Sequence, residues 1–170
     1  MYLSRIADRL SRTFEVISET ALVALLLLVG HEVFLRYVLN APTQYSVEFS
    51  EYLLVLLSFF SIAYVLQRDR HVRVTFVREL LPPRGRALAD MLAYLLLIGY
   101  SGVLIYYGGE MSLTAFMGDD RSSSLVSFPL FIPYALIPLG ALALALQAAV
   151  KAGDAAQRVR AGDPSMSGEE

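Results

Sequence analysis

The chain has 170 residues, of which 56% are hydrophobic and 18% charged, with a formal net charge of −2. Globular domains are about 45–50% apolar, so this composition is unusually apolar. Cysteine is absent, which excludes a disulfide framework and a thiolate metal site. Lys151 is the one lysine and follows Val150 rather than glycine, which excludes a Walker A nucleotide site. The arginines flank apolar runs, so a basic face for nucleic acid is not expected.

Four apolar stretches are long enough to cross a bilayer, which takes about 20 residues. They predict an all-α integral membrane protein with one domain over residues 1–150 and a polar, disordered tail over 151–170. The expected spans are 16–38, 47–67, 88–110 and 126–150. A soluble four-helix bundle is disfavoured because its helices keep a polar face, which the third and fourth runs lack. A cleavable signal peptide is also disfavoured, since Asp8 and Glu15 lie in the leader and the first run is too long.

Two amphipathic segments predict short helices lying at the membrane surface. The first precedes span one, with apolar residues at helical spacing opposite Arg5, Asp8, Arg9 and Arg12; the apolar residues are Leu3, Ile6, Ala7, Leu10 and Phe14. The second lies between spans two and three, over residues 74–81. Its stripe is Val74, Val77, Leu80 and Leu81, and Pro82 and Pro83 end it.

The basic residues alternate between the predicted loops. Three arginines precede span one, six lie between Arg68 and Arg86, and Lys151, Arg158 and Arg160 follow span four. Arg36 and Arg121 are the other two. Cytoplasmic loops hold the excess of Lys and Arg, so both termini and the middle loop are expected in the cytoplasm. The middle loop is expected to contact anionic lipid headgroups there.

Ionisable residues stand at the outer ends of the first two spans. Glu32 and Arg36 are four residues apart with the acid first, the favoured order on one helix face. Glu48 and Glu51 begin span two and share a face. The short loop "LNAPTQYS" makes the two helices antiparallel neighbours, so we predict an ion pair of Arg36 with Glu48 or Glu51. A structural lock or a subunit contact is favoured over an ion or substrate site.

Two histidines and three prolines allow sharper hypotheses, which we disfavour. His31 lies in the outer half of span one and His71 beyond the inner end of span two, so they cannot clamp one haem. His31 is expected to be buried and hydrogen-bonded, and no cofactor or metal is predicted. Pro129, Pro133 and Pro138 fall in span four. They either shape the bundle or line a substrate path, and the first is favoured because no polar side chains accompany them.

Three stretches resemble the small membrane subunit of tripartite ATP-independent periplasmic (TRAP) transporters. They are "FLRYVLNAP", "EFSEYLLVLLSFFSIAYVLQRDRHVRV" and "IPYALIPLG". The resemblance covers residues 14–147, and its most specific feature is the order of Arg-Tyr-Val-x-Asn, Glu-x-x-x-Tyr-Leu and the His71-Val72 pair. Three positions depart from the family's usual pattern. The family often has a tryptophan just before the acidic start of the second span, and this chain has Tyr45 nearby instead. Many members have arginine at the position of Glu51, and an acidic residue is usual at the position of Thr75.

The resemblance implies a subunit without enzymatic activity in a transporter of the bacterial inner membrane. The transporter is expected to import an organic acid, driven by an ion gradient, with sodium as the expected ion. Its partners would be a large membrane subunit, which it scaffolds, and transiently a periplasmic substrate-binding protein. The expected interface residues are Glu32, Arg36, Glu48, Glu51 and His71. Small residues would let span three approach other helices; they are Gly99, Ser101, Gly102, Gly108 and Gly109.

Two alternatives to the scaffold subunit stay open. The first is a self-contained homo-oligomeric transporter, with Glu32, Glu48 or Glu51 as proton or cation sites. The second is a membrane anchor for a redox enzyme. Four spans are few for alternating access, which usually uses two repeats around a site at the midplane, and the chain shows no internal repeat. The transported solute cannot be read from this subunit.

Overall fold

The computed structural model describes residues 2–68 and 83–161. Within those ranges the protein has four helices: α1 (Tyr2–Val38), α2 (Ser46–Gln67), α3 (Pro83–Met117) and α4 (Phe131–Ala161). Each is long and apolar enough to cross a membrane, which confirms the predicted all-α architecture with four spans. His71, the surface helix predicted at 74–81 and the end of the tail at 162–170 lie outside the described residues.

Helix α1 is continuous over 37 residues, or about 55 Å at 1.5 Å per residue. The surface helix predicted before span one is therefore not a separate element in the structure. Part of its apolar stripe packs against other helices: Ala7 is buried, and the Phe14 ring stacks on Phe60 of α2 with centroids 4.1 Å apart, whereas Ile6 is exposed. Among the described residues, protein therefore covers the Ala7 and Phe14 part of the stripe but not Ile6.

Helix α4 is the centre of the arrangement. It contacts α1, α2 and α3, whereas α3 contacts α4 alone among the described helices. In the most apolar 18-residue stretch of each helix, 39% of the residues of α4 are buried, against 11–17% in the other three helices. The main core cluster combines α2, α3 and α4; its buried members are Leu66, Tyr94, Leu144, Ala148 and Ala155. The four helices therefore form an open assembly in which α3 is held from one side.

Two glycines allow close contacts with α4. A Cβ at Gly140 would lie 2.4 Å from the carbonyl oxygen of Phe59, so α2 and α4 approach at backbone distance there. On the other side of α4, a Cβ at Gly108 would lie 3.0 Å from Cδ of Pro138. Of the small residues predicted to form a packing surface on α3, only Ser101 and Gly108 are buried. Gly99, Gly102 and Gly109 have nothing within 4 Å of such a Cβ.

The prolines shape the start of α4. Pro129 precedes the helix and Pro133 is its third residue, where the missing N–H has no intrahelical acceptor to lose. Pro138 is the only interior proline of α4. The helix begins at Phe131 rather than near 126, and it continues to Ala161, so the first part of the predicted polar tail is helical. Ala155 explains that extension, because it is buried in the core cluster.

Candidate functional site: the outer ends of the helices

A polar region of the bundle lies at the end that carries the loops 39–45 and 118–130. We name it the outer end, after the predicted topology, and the opposite end the inner end. The loop after α1 is sharply turned: Asn40 has a left-handed backbone (φ 52°), which asparagine tolerates at helix ends. The Ala41 N–H then donates to the Leu35 carbonyl at 3.0 Å. This turn directs the following residues back over the end of α1.

Glu32 is the centre of a hydrogen-bonded cluster at this end. Its side chain is only 10% exposed, and Oε1 accepts from Nη2 and Nε of Arg36 at 2.7 and 3.1 Å. Oε2 accepts from the backbone N–H of Thr43 at 3.1 Å and from the Thr43 hydroxyl. The Thr43 hydroxyl also bonds with Ser46, the first residue of α2. Through Glu32 the end of α1, the loop and the start of α2 are joined.

The predicted ion pair between Arg36 and an acid of α2 is not formed. Arg36 bonds Glu32 on its own helix, because residues four apart on a helix are neighbours. The four-residue spacing of Glu32 and Arg36 therefore indicated the correct partner of Arg36. The expected proximity of α1 to α2 indicated an incorrect one. Sequence reasoning also missed Thr43, since nothing in "LNAPTQYS" indicates that the loop returns over Glu32.

Glu48 belongs to a second cluster, which connects α2 to the loop before α4. The Tyr52 hydroxyl donates to Oε1 of Glu48 at 2.7 Å, and the Ser124 hydroxyl donates to Oε2. The Tyr52 ring stacks on Phe128 with centroids 4.9 Å apart. Glu48 is thus satisfied by hydroxyl groups rather than by a cation.

The loop 118–130 has its own backbone hydrogen bonds, which position Ser124 and Phe128 over α2. The Ser122 N–H donates to the Phe128 carbonyl at 2.9 Å, and the Leu130 N–H donates to the Asp120 carbonyl at 3.0 Å. Arg121 and Pro129 form an isolated β-bridge. The loop is therefore a folded cap on the outer end of α2.

An open groove of about 570 Å³ lies between α2, α4 and this loop. We call it the α2–α4 groove. Its lining residues are Gln44, Val47, Glu48, Glu51, Tyr52, Val55, Ser122, Ser123, Ser124, Leu130, Pro133, Tyr134 and Ile137. The lining contains two carboxylates and no basic side chain. Glu51 is exposed, and no hydrogen bond or ion pair joins it to another described residue.

His31 is exposed on α1, so the expectation of a buried, hydrogen-bonded imidazole is wrong. His71 lies outside the described residues, and its expected place at an interface stays a prediction. The described part of the chain holds no group of three or more His, Asp or Glu residues that could bind a metal ion.

A third polar cluster lies at the inner end. Oδ1 of Asp8 accepts from the side-chain amides of Gln67 at 2.8 Å and Gln147 at 3.3 Å. Gln147 also donates to the Ser11 hydroxyl at 2.9 Å, and both of these side chains are fully buried. Sequence reasoning missed this cluster, although Gln147 stands in an otherwise apolar run and is a signal that a partner is needed. It fastens the start of α1 to α2 and α4.

The three clusters share a chemical character. Each fixes a carboxylate with hydroxyl, amide or guanidinium donors from neighbouring segments, and each lies near one end of the spans. Such groups can join helices and carry charge at a surface, while the buried residues between them are mostly apolar, with Ser18 and Ser101 as exceptions. The arrangement suits assembly and recognition rather than bond chemistry.

The sequence profile described as "Tripartite ATP-independent periplasmic transporters, DctQ component" matches residues 25–158. The chain belongs to this family. The matched range contains all of α2 and α3, the last 14 of the 37 residues of α1 and nearly all of α4, so it covers both outer clusters. This result confirms the resemblance found in the sequence, and the family is one of transporter components.

Two curated relatives are similar to the chain. One is the ectoine TRAP transporter small permease protein TeaB of Halomonas elongata, 27% identical over 66% of this chain. The other is a putative TRAP transporter small permease protein of Haemophilus influenzae, 27% identical over 55% of this chain. Each match spans 58% of the relative's own length.

Proposed function

We propose that this chain is the small permease subunit of a TRAP transporter and that it scaffolds the large membrane subunit. Family membership over residues 25–158 is the observation that carries the proposal. In this proposal a periplasmic binding protein delivers the solute, the large subunit moves it, and the small subunit holds the large one in place.

The packing of the described residues supports a scaffold rather than a transport path. The carboxylates of Asp8, Glu32 and Glu48 are engaged with donors of the same chain. They sit near the two ends, whereas transporters usually bind the solute at the midplane between repeats. Much of α1 and α3 is exposed and apolar, which suits helices that meet lipid or a larger membrane protein.

We place the chain in the bacterial inner membrane with both termini in the cytoplasm, as the distribution of arginine predicts. The proposed solute is an organic acid and the proposed driving force is an ion gradient, with sodium as the coupling ion. Because one relative is named for ectoine, ectoine belongs among the solutes to be tried in uptake assays.

Co-purification tests the proposal. A tag at the C-terminus, with extraction of native membranes in mild detergent, is expected to recover a hydrophobic protein of many spans in a fixed ratio to this chain. An unrelated four-span membrane protein with the same tag is the control. Recovery of the chain as a stable homo-oligomer alone would contradict the scaffold function, and recovery of a coloured redox partner would favour a membrane anchor.

A further inference from the structure

The α2–α4 groove runs along the helices rather than across the outer surface. Its walls repeat at helical spacing, with Val47, Glu51 and Val55 on α2 and Tyr134 and Ile137 on α4. From Val47 to Val55 is about 12 Å at 1.5 Å per residue. The lower walls are apolar and lie within the two spans. The groove therefore extends from the loop 118–130 to the level of Val55 and Ile137, a depth that suits a membrane helix better than a soluble domain.

Negative charge predominates at the outer end of the bundle, where this groove lies. At the outer end six acidic side chains accompany two arginines: Glu32, Glu48, Glu51, Glu110, Asp119 and Asp120 are the acids. Both arginines are already engaged, Arg36 with Glu32 at 2.7 Å and Arg121 with Asp119 at 3.2 Å. No basic side chain lines the groove. A cation that neutralises the groove has to come from outside the described part of the chain.

Glu51 is the residue that most needs such a cation. It is the sixth residue of α2, about 8 Å below the start of the helix. A carboxylate at that depth is costly against lipid and is usually paired or faces water. Glu48, one turn earlier, already has the hydroxyl groups of Tyr52 and Ser124. Glu51 has no comparable donor among the described residues.

We propose that the α2–α4 groove receives a transmembrane helix of the partner membrane protein, and that an arginine or lysine near the outer end of that helix pairs with Glu51. Apolar side chains of the same helix would pack on Val55 and Ile137, which line the groove's lower part, and on Val47 near its outer end. The inference rests on the proposed function, because the partner is the large permease subunit. The inference adds to the proposed function the surface of this chain that contacts the large subunit and the positive charge of the large-subunit residue that pairs with Glu51.

Cross-linking locates the occupant of the groove. Because the chain has no cysteine, single-cysteine variants can carry a photo-reactive benzophenone maleimide at one position each. Val55→Cys places the probe in the groove, and Leu96→Cys places it on the exposed face of α3 as a control. The expected result is a cross-link from position 55 to a helix of the large subunit. Cross-links only to lipid, to a second copy of this chain or to the soluble binding protein would overturn the proposal.

Charge reversal tests the ion pair. Glu51→Lys is expected to reduce the co-purified large subunit about tenfold, since it places like charges together in the interface. Glu110→Lys makes the same charge change on an exposed residue of α3 outside the groove, and is expected to alter the yield less than about twofold. The melting temperature of each variant alone distinguishes loss of binding from loss of folding. If Glu51→Lys does not fold, the cross-link made with native Glu51 still decides whether the helix is there.

Reversal of the cross-linked partner's basic residue to glutamate is expected to restore binding to Glu51→Lys. If wild-type chain recovers the large subunit and Glu51→Lys recovers as much as Glu110→Lys, the groove proposal fails while the proposed function stands. If the wild-type chain recovers no membrane partner, both fail.

Discussion

Glu32 shows how one carboxylate can determine a helix end. It offers one oxygen to Arg36 on its own helix and the other to Thr43 in the loop. Two acceptor oxygens allow Glu32 to bind both segments at once. Thr43 passes the connection to Ser46 at the start of α2, so the loop is closed by a chain of polar contacts rather than by apolar packing.

Glu32→Gln is expected to lower the melting temperature of the purified protein by several degrees. The amide keeps one acceptor oxygen but places NH₂ donors against Arg36 or Thr43, where only acceptors are useful. Thermal denaturation in detergent measures the shift. Glu19→Gln, an exposed carboxylate of the same helix, is the control and is expected to melt like wild type. Equal melting temperatures for the two variants would show that the Glu32 cluster contributes little.

At this scale the sequence predicted one contact and misplaced another. The pair Glu32–Arg36 follows from spacing alone, because helical geometry makes residues four apart neighbours. The partners of Glu48 do not follow from spacing, since Ser124 reaches it only after a loop has folded on itself. Contacts that depend on a turn far along the chain have no local signature.

Among the helices, the closest approach is that of α2 and α4 at Gly140. A methyl group there would meet backbone rather than the movable end of a side chain, because the nearest atom is the carbonyl oxygen of Phe59. Gly108 and Pro138 make a milder contact between α3 and α4. The central helix thus has a narrow place on each of two sides, which suits close packing in membranes.

Gly140→Ala is expected to destabilise the protein by about 1–3 kcal/mol, the usual cost of overpacking a tight contact. The two helices must separate to accommodate the new Cβ. Gly99→Ala provides the matched control, since nothing lies within 4 Å of a Cβ at that position of α3. Melting temperature and the yield of monodisperse protein are the measurements. Loss of stability in Gly99→Ala but not in Gly140→Ala would contradict the packing described here.

The ends of a helix could be predicted where charged or polar residues border the apolar run. They could not be predicted where the residues beyond the helix are also uncharged. The predicted second span, 47–67, agrees with α2 at Ser46–Gln67 because polar residues flank the apolar run on both sides. The start of α4 was placed too early, since residues 122–130 are uncharged yet fold as a loop through backbone hydrogen bonds. The start of α1 is joined to α2 and α4 by hydrogen bonds from Gln67 and Gln147 to Asp8, and contacts between residues so far apart in sequence could not be read locally.

For the whole molecule, the count of spans and the family followed from the sequence, whereas the arrangement of the spans did not. Apolar runs and arginine placement predict how many helices cross, and the ordered motifs identify the family. Neither says that α3 contacts α4 alone among the described helices. That choice depends on which small residues meet, and only two of the five small residues singled out on α3 are buried.

The orientation of the molecule can be tested with the same cysteine-free background. Ser123→Cys lies in the outer loop and Gln157→Cys near the end of α4, and both positions are exposed. In spheroplasts, a membrane-impermeant maleimide is expected to label position 123 at once and position 157 only after permeabilisation. The reverse order would place the termini outside, against the arginine distribution.

The helices differ in length in a way that bears on bilayer thickness. Helix α2 has 22 residues, whereas α1, α3 and α4 have 37, 35 and 31. At 1.5 Å per residue α2 measures about 33 Å, close to the roughly 30 Å of hydrocarbon in a bilayer. The longer helices can slide or tilt in a thicker or thinner membrane and still span it. Helix α2 has no such spare length, so a mismatch between its length and the bilayer thickness would act first on its ends. Glu48 and Glu51 lie near the outer one.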